Sequence, residues 1–252
     1  MKKLGEAMPF TFAHPVITMP WWRKKSLPVS ALVIGCMAPD FEYFIRFRAA
    51  SVWSHEGLGV ILFNLPMIVL LYLLFECVIR PVLHVYLPSW FPYRWSREGK
   101  LPISLKGWLL VLVMGMTGVA THLLWDQFTH KGAWLVNHIP LLTQTFQMGS
   151  IHIPVYKLCQ HGSTLLGLGL IVWWIHRHLY VMPEKRKYQH PILPFWCVGA
   201  AIFIVIMVMA MITVVDGDGL AFILQLVVPA ISSFLLALLM TCLVFWSRAR
   251  QN

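Results

Sequence analysis

Of 252 residues, 58% are apolar, only 12% are charged, and the formal net charge is +10. Soluble domains carry about 45–50% apolar and about 25% charged residues, so a separate soluble domain is excluded and the chain reads as a single integral membrane domain. In such a chain the positive excess marks membrane-flanking loops rather than a nucleic-acid surface.

The amino terminus is MKKLGEAMPFTFAHP, in which Pro9 and Pro15 flank a short apolar stretch. None of the long apolar runs that follow has the charged start, short apolar core and small-residue cleavage site of a signal peptide. Residues 10–22 are apolar but too short to cross a bilayer, and Arg23, Lys24 and Lys25 follow them. Residues 27–47 are long enough to span, yet Pro39 and Asp40 interrupt them. Two readings stay open here: a broken sixth span, or a short helical hairpin dipping into the membrane.

Five runs then meet the requirement of about 20 helical residues for a hydrocarbon core of roughly 30 Å: 58–79, 107–125, 163–181, 195–215 and 220–246. The runs are continuous rather than alternating, which excludes a β-barrel. Helix follows, because lipid leaves every backbone N–H and C=O to be satisfied within its own segment. The predicted fold is an all-α polytopic bundle of five to six spans with a short N-terminal helical hairpin. Residues 87–102 read as an interfacial loop, 131–160 as the largest loop on the opposite side, and Asp216-Gly-Asp-Gly219 as an acidic turn.

Charge sets the orientation. Arg80, Arg94, Arg97, Lys100, Lys106, Arg177, Lys185, Arg186, Lys187, Arg248 and Arg250 fall on one side, against Arg46, Arg48, Lys131 and Lys157 on the other. Eleven against four places the richer side, with the carboxyl terminus, in the cytoplasm. The predicted location is therefore the bacterial cytoplasmic (inner) membrane, multi-pass. Five cysteines stand singly, which argues against a disulfide framework and a thiolate zinc site. Tryptophans read as interfacial anchors and methionines as packing.

The ionisable residues gather at the external ends of the spans. His122 and Asp126 are four apart and share one helical face, and His130 would continue it. Two ligands at i and i+4 can hold one metal ion. Asp40 follows Pro39, and a membrane-edge carboxylate is costly unless paired, liganded or wetted. His55 stands just before the 58–79 run, and His14 joins the group only under the hairpin reading. His14, Asp40, His55, His122 and Asp126 thus form a candidate His3Asp2 metal set. Imidazole with carboxylate suits zinc, with manganese or iron as alternatives. A water acidified by such an ion can attack an ester or phosphoester, with Glu42 or Glu56 as general base or as orienting groups. For His122 and Asp126 the plain alternative is a hydrogen bond within or between helices. Ser54 with Glu56 resembles a helix cap, as does His161 in Gln160-His-Gly-Ser163. His130, His84, His138, His152, His176, His178 and His190 read as interfacial or surface residues.

The strings PFTFAHP (9–15), ALVIGCMAPDFEYF (31–44), THLLWDQFTH (121–130) and PVYKLCQHGS (154–163) resemble an uncharacterised bacterial membrane family, domain of unknown function 4184. That resemblance covers nearly the whole chain and implies a membrane location without an activity. The chain also resembles, more distantly, inner-membrane metal-dependent hydrolases of the YdjM type. Their pattern of an early His, PD-x-D, T-H and H-x-x-x-D falls on His14, Pro39-Asp40 with Glu42, Ser54-His55, and His122 with Asp126. Glu42 replaces the second Asp, and Ser51-Val52-Trp53 stand where His-Arg-Gly is usual. The leading expectation from these residues and resemblances is a membrane-embedded hydrolase acting at the external face on a phosphoester or ester of a lipid-linked or otherwise membrane-associated substrate, with membrane lipid as the surrounding partner. The runner-up is a transporter or proton-coupled permease using the same Asp and His residues, and a third reading is a non-catalytic protein with a structural metal. Against a transporter stand the edge position of the candidates and the lack of an internal repeat.

Overall fold

A computed structural model describes residues 11–24, 26–88, 101–149, 151–179, 191–215 and 219–250. Five helical stretches are long and apolar enough to cross a membrane: Gly59–Tyr86, Leu105–His138, Val155–His178, Ile192–Thr213 and Phe222–Arg250. The chain is a multi-pass helical membrane protein.

The 27–47 segment is not a sixth continuous span. A 3₁₀ helix, Thr11–Trp21, runs away from the site end of the bundle, and α1 (Val29–Met37) returns. Pro39 cannot donate a helical hydrogen bond, so α1 gives way to a 3₁₀ turn, Ala38–Asp40, before α2 (Phe41–Arg46). The hairpin reading is the one observed, and its consequence is that His14 and Asp40 return to the same end.

α6 (Leu105–Thr129) is the axis of this half, capped by Ser104, whose Oγ accepts from Gly107 N–H at 3.1 Å. α1 lies along it in the same direction, with Ala31 against Val111, Gly35 against Gly115, and Cys36 beside Gly118. A Cβ on Gly35 would fall on the Gly115 carbonyl, and one on Gly118 on the Leu32 carbonyl. Small residues let helix backbones approach where lipid supplies no hydrophobic drive between helices. α3 (Gly59–Leu62) and α4 (Asn64–Leu74) run back on the other flank, where Ile68 fills the surface over Gly115 and Tyr72 packs at Val111. This register brings the hairpin tip with Arg23 and Lys24 to the level of the α6 start, the end that carries Lys106.

A π turn, Phe75–Ile79, separates α4 from α5 (Arg80–Tyr86). The second half is built on α10 (Ile192–Thr213) and α12 (Val227–Arg250), the latter preceded by α11 (Gly219–Gln225), around a core of Val82, Tyr86, Phe195, Cys242 and Phe245. Residues 131–154 are more ordered than a loop. α7 (Trp134–His138), α8 (Pro140–Thr143) and an antiparallel hairpin, β1 (Thr145–Met148) with β2 (Ile151–Pro154), close over Val136, Leu142 and Tyr156. This hairpin is a small departure from an all-α reading. α9 (Val155–Leu179) begins eight residues before the sequence-predicted run, so His161 lies inside a helix rather than at an N-cap. Ser163 and Thr164 donate back to the Gln160 carbonyl at 3.1 and 2.8 Å. The 216–218 turn, most of the 87–102 loop with Arg94, Arg97 and Lys100, and residues 180–190 with Lys185, Arg186, Lys187 and His190 lie outside the described residues.

Candidate metal centre

Five side chains from four parts of the chain converge at the end of α6. His122 stands ~21 Å along α6 from Trp108, with Asp126 one turn further toward the carboxyl end of the helix. His122 Nε2 lies 3.5 Å from Asp40 Oδ1 and 3.3 Å from Asp126 Oδ2. His55 Nε2 reaches the same two oxygens at 3.6 and 3.7 Å. His14 Nε2 is 3.8 Å from Asp126 Oδ1. All five residues named as metal ligands are brought together.

Each is held by a recognisable local cause. In the 3₁₀ turn Asp40 N–H is withdrawn from Cys36, and Pro39 has no N–H to offer it. The Cys36 carbonyl is therefore free, and it lies 2.7 Å from His122 Nδ1. With the Nδ1 proton donated there, the Nε2 lone pair is left for the cluster. Ser54 Oγ plays the matching part for His55, 2.7 Å from its Nδ1. Thr11 Oγ1 donates to Asp40 Oδ2 at 2.5 Å, which leaves Oδ1 facing the histidines.

Glu42 shapes the site without facing it. Its carboxylate accepts from the backbone N–H groups of Val52, Trp53 and Ser54 at 2.9–3.0 Å, and from Arg46. Burial alone would raise its pKa, but these backbone donors outweigh it and hold the group near 2. Both oxygens are thus consumed in fixing the loop that presents His55. Asn64, fully buried, ties the same loop by donating to the Ser54 and Val60 carbonyls at 2.9 and 3.0 Å. Glu56 sits in an exposed part of that loop, outside the convergent group. Ser54 does not cap the following helix, whose N-cap Leu58 has no side-chain bond.

Three residues that sequence reasoning discounted or passed over belong here. His130, read as a surface residue, has its Nδ1 3.3 Å from Asp126 Oδ1, the i+4 continuation of the face. Thr11 and Asn64 carried no sequence signal beyond being polar in apolar surroundings.

The cluster's chemistry follows from what is left unpaired. His14, His122 and Asp126 are at most 8% exposed, yet His14 Nε2, His55 Nε2, His122 Nε2 and Asp126 Oδ1 have no hydrogen-bond partner. Buried polar groups are normally satisfied, and an unmet one costs ~1–3 kcal/mol. Burial first, then the neighbouring His122, lowers the His14 pKa to about 4, which keeps its ring neutral and able to ligate. The separations of 3.3–3.8 Å are close to the ~3.3–3.6 Å between donors bound tetrahedrally at 2.0–2.2 Å. The two carboxylates among these imidazoles carry negative charge that a divalent cation balances. The donor set fits such an ion.

No curated protein and no solved structure matches this chain. A family model does, over residues 8–243, and the chain belongs to the family described as a domain of unknown function, DUF4184.

Proposed function

We propose that this chain is a membrane-embedded, metal-dependent hydrolase that cleaves a phosphoester or ester of a lipid-linked or membrane-associated substrate at the external face. The supporting observation is the convergence of three unpartnered imidazole Nε2 atoms on two buried carboxylates at one edge of the bundle. Zinc is the first choice of ion, with manganese or iron as alternatives. Such an ion supplies an acidified water and polarises the substrate oxygen. His122, Asp126, Asp40, His55 and His14 would supply its ligands, while Glu42 positions the His55 loop. The His55 and His130 side of the cluster is its more open side, at 15% and 31% side-chain exposure, and gives substrate its approach.

The membrane is the bacterial cytoplasmic membrane, with the carboxyl terminus inside. The charge asymmetry supports this, and Arg23 and Lys24 at the hairpin tip add to the basic end. The test is turnover. Zinc-loaded protein in detergent should hydrolyse a fluorogenic phospholipid or p-nitrophenyl ester substrate, and Asp126→Asn should not. Metal-loaded protein inert toward both classes would refute the enzymatic reading and leave a structural metal.

A further inference from the structure

We infer that the centre is built for two cations rather than one, bridged by Asp126, and that His14 and His130 belong to the second. This rests on the metal-centre reading above and deepens it.

The two oxygens of Asp126 face different partners. Oδ2 faces His122 at 3.3 Å and His55 at 3.7 Å, and those two nitrogens reach Asp40 Oδ1 at 3.5 and 3.6 Å. Oxygen and nitrogen alternate around that ring, and within it Asp40, His55 and His122 form one possible metal group without His14. Oδ1 lies 3.3 Å from His130 Nδ1 and 3.8 Å from His14 Nε2, and Asp126 with His14 and His122 forms the other possible metal group. Both Asp126 Oδ1 and His14 Nε2 are buried without a hydrogen-bond partner. His130 Nδ1 also lies 3.3 Å from Thr129 Oγ1, and its ring is partly exposed.

Ring geometry separates the positions. His14 and His122 stack with centroids 3.9 Å apart and planes 25° from parallel. An imidazole ligates through a lone pair in its own plane. Two that share one tetrahedral ion at ~2.0–2.1 Å have centroids about 5 Å apart, with planes converging on it. Near-parallel rings at this spacing present their nitrogens side by side. That suits two ions about 3.5–4 Å apart, the separation a bridging carboxylate gives.

The charge count selects the substrate class. Two divalent ions against Asp40 and Asp126 leave the site positive, which favours an anionic phosphoester over a neutral carboxylic ester. In its hydrolysis a water oxygen forms a bond to phosphorus and the bond to the leaving oxygen breaks. The water proton passes to the leaving alcohol, with no redox partner needed.

The experiment is zinc stoichiometry of the full chain in detergent, by equilibrium dialysis against buffered zinc and elemental analysis. Wild type should bind about two ions per chain, His130→Ala and His14→Ala one, and Asp126→Asn none. Manganese-loaded wild type should give an exchange-coupled paramagnetic resonance spectrum, and His130→Ala a single-ion spectrum. His130 lies at a helix end and is partly exposed, so that variant should elute like wild type on size exclusion. One ion at saturation in wild type, or two retained in His130→Ala, overturns the two-ion centre while the single-site reading stands. No bound ion in wild type overturns both.

Discussion

Two buried polar groups occupy opposite ends of the bundle, and they differ in how far they satisfy themselves. At the end carrying Lys106 and Arg80, Glu76 is 3% exposed, and its Oε1 accepts from Ser30 Oγ at 2.6 Å and Arg80 Nη2 at 2.8 Å. The Arg80 guanidinium lies over Phe75, 5.0 Å from the ring centre. Pro81 has no N–H to offer the Cys77 carbonyl four residues back, which takes the Trp246 indole N–H at 2.9 Å instead. Only Arg80 Nε is left over, a donor that no metal can use. At the other end, three imidazole nitrogens and a carboxylate oxygen converge unpaired. A self-satisfied cluster ties α1, the π turn and α12 together; the acceptor-rich one with nothing to accept from is the one proposed above to take a cation. Burial alone does not distinguish them, and pairing does.

The sharpest way to break the comparison is to remove ligand charge at one end and structural charge at the other. Asp126→Asn should abolish ion binding and the stabilisation that comes with it. A ligand at a thousand times its Kd stabilises by about 4 kcal/mol. Chelator should therefore lower the wild-type melting temperature substantially and leave Asp126→Asn unmoved. Glu76→Gln should do the reverse, losing ~3–5 kcal/mol by stranding Arg80 while still responding to chelator. Equal chelator sensitivity in wild type and Asp126→Asn would erase the distinction.

A smaller effect is expected where packing carries the site. Gly35→Ala places a Cβ on the Gly115 carbonyl, so α1 must back away from α6 at a cost of ~1–3 kcal/mol. The Cys36 carbonyl then retreats from His122, and zinc affinity should fall along with the melting temperature. Gly162→Ala, with open space around its Cβ position, should change neither.

Smaller still, Glu42→Gln should weaken zinc binding by roughly 10–100-fold, the range for groups that orient metal ligands. The number of ions bound at saturation should be unchanged, because Glu42 acts through the His55 loop. Loss of an ion would instead make Glu42 a ligand. Orientation is checked separately: a reporter after Asn252 should be active in the cytoplasm, and one within 131–154 outside. Reversal would move the site to the cytoplasmic face.

How much of this was legible in the sequence follows from what each residue depends on. His122 and Asp126 could be paired because helical periodicity fixes their face, and the apolar runs gave the spans because lipid enforces helix. Asp40 announced itself by being charged beside Pro39. His14 required the hairpin, a choice that the sequence left open and that packing against α6 and α9 decides. His130 was discounted because the helix end could not be placed, and one further turn of α6 determines whether it reaches Asp126. The Cys36 carbonyl left no side-chain signal, since its role comes from backbone winding at Pro39. Glu42 was recognised as chemically important, but only the fold of residues 51–55 reveals that its oxygens are spent on backbone N–H groups.

The central claim is that the unpaired cluster, and not burial or histidine content, holds a cation. Elemental analysis of detergent-purified wild type, His122→Ala and Glu76→Gln, each equilibrated with the same buffered zinc, tests it most directly. The account predicts stoichiometric zinc in wild type and Glu76→Gln, and a sharp loss in His122→Ala protein that still elutes as a folded species. Zinc absent from wild type, or retained in full by His122→Ala, would contradict it.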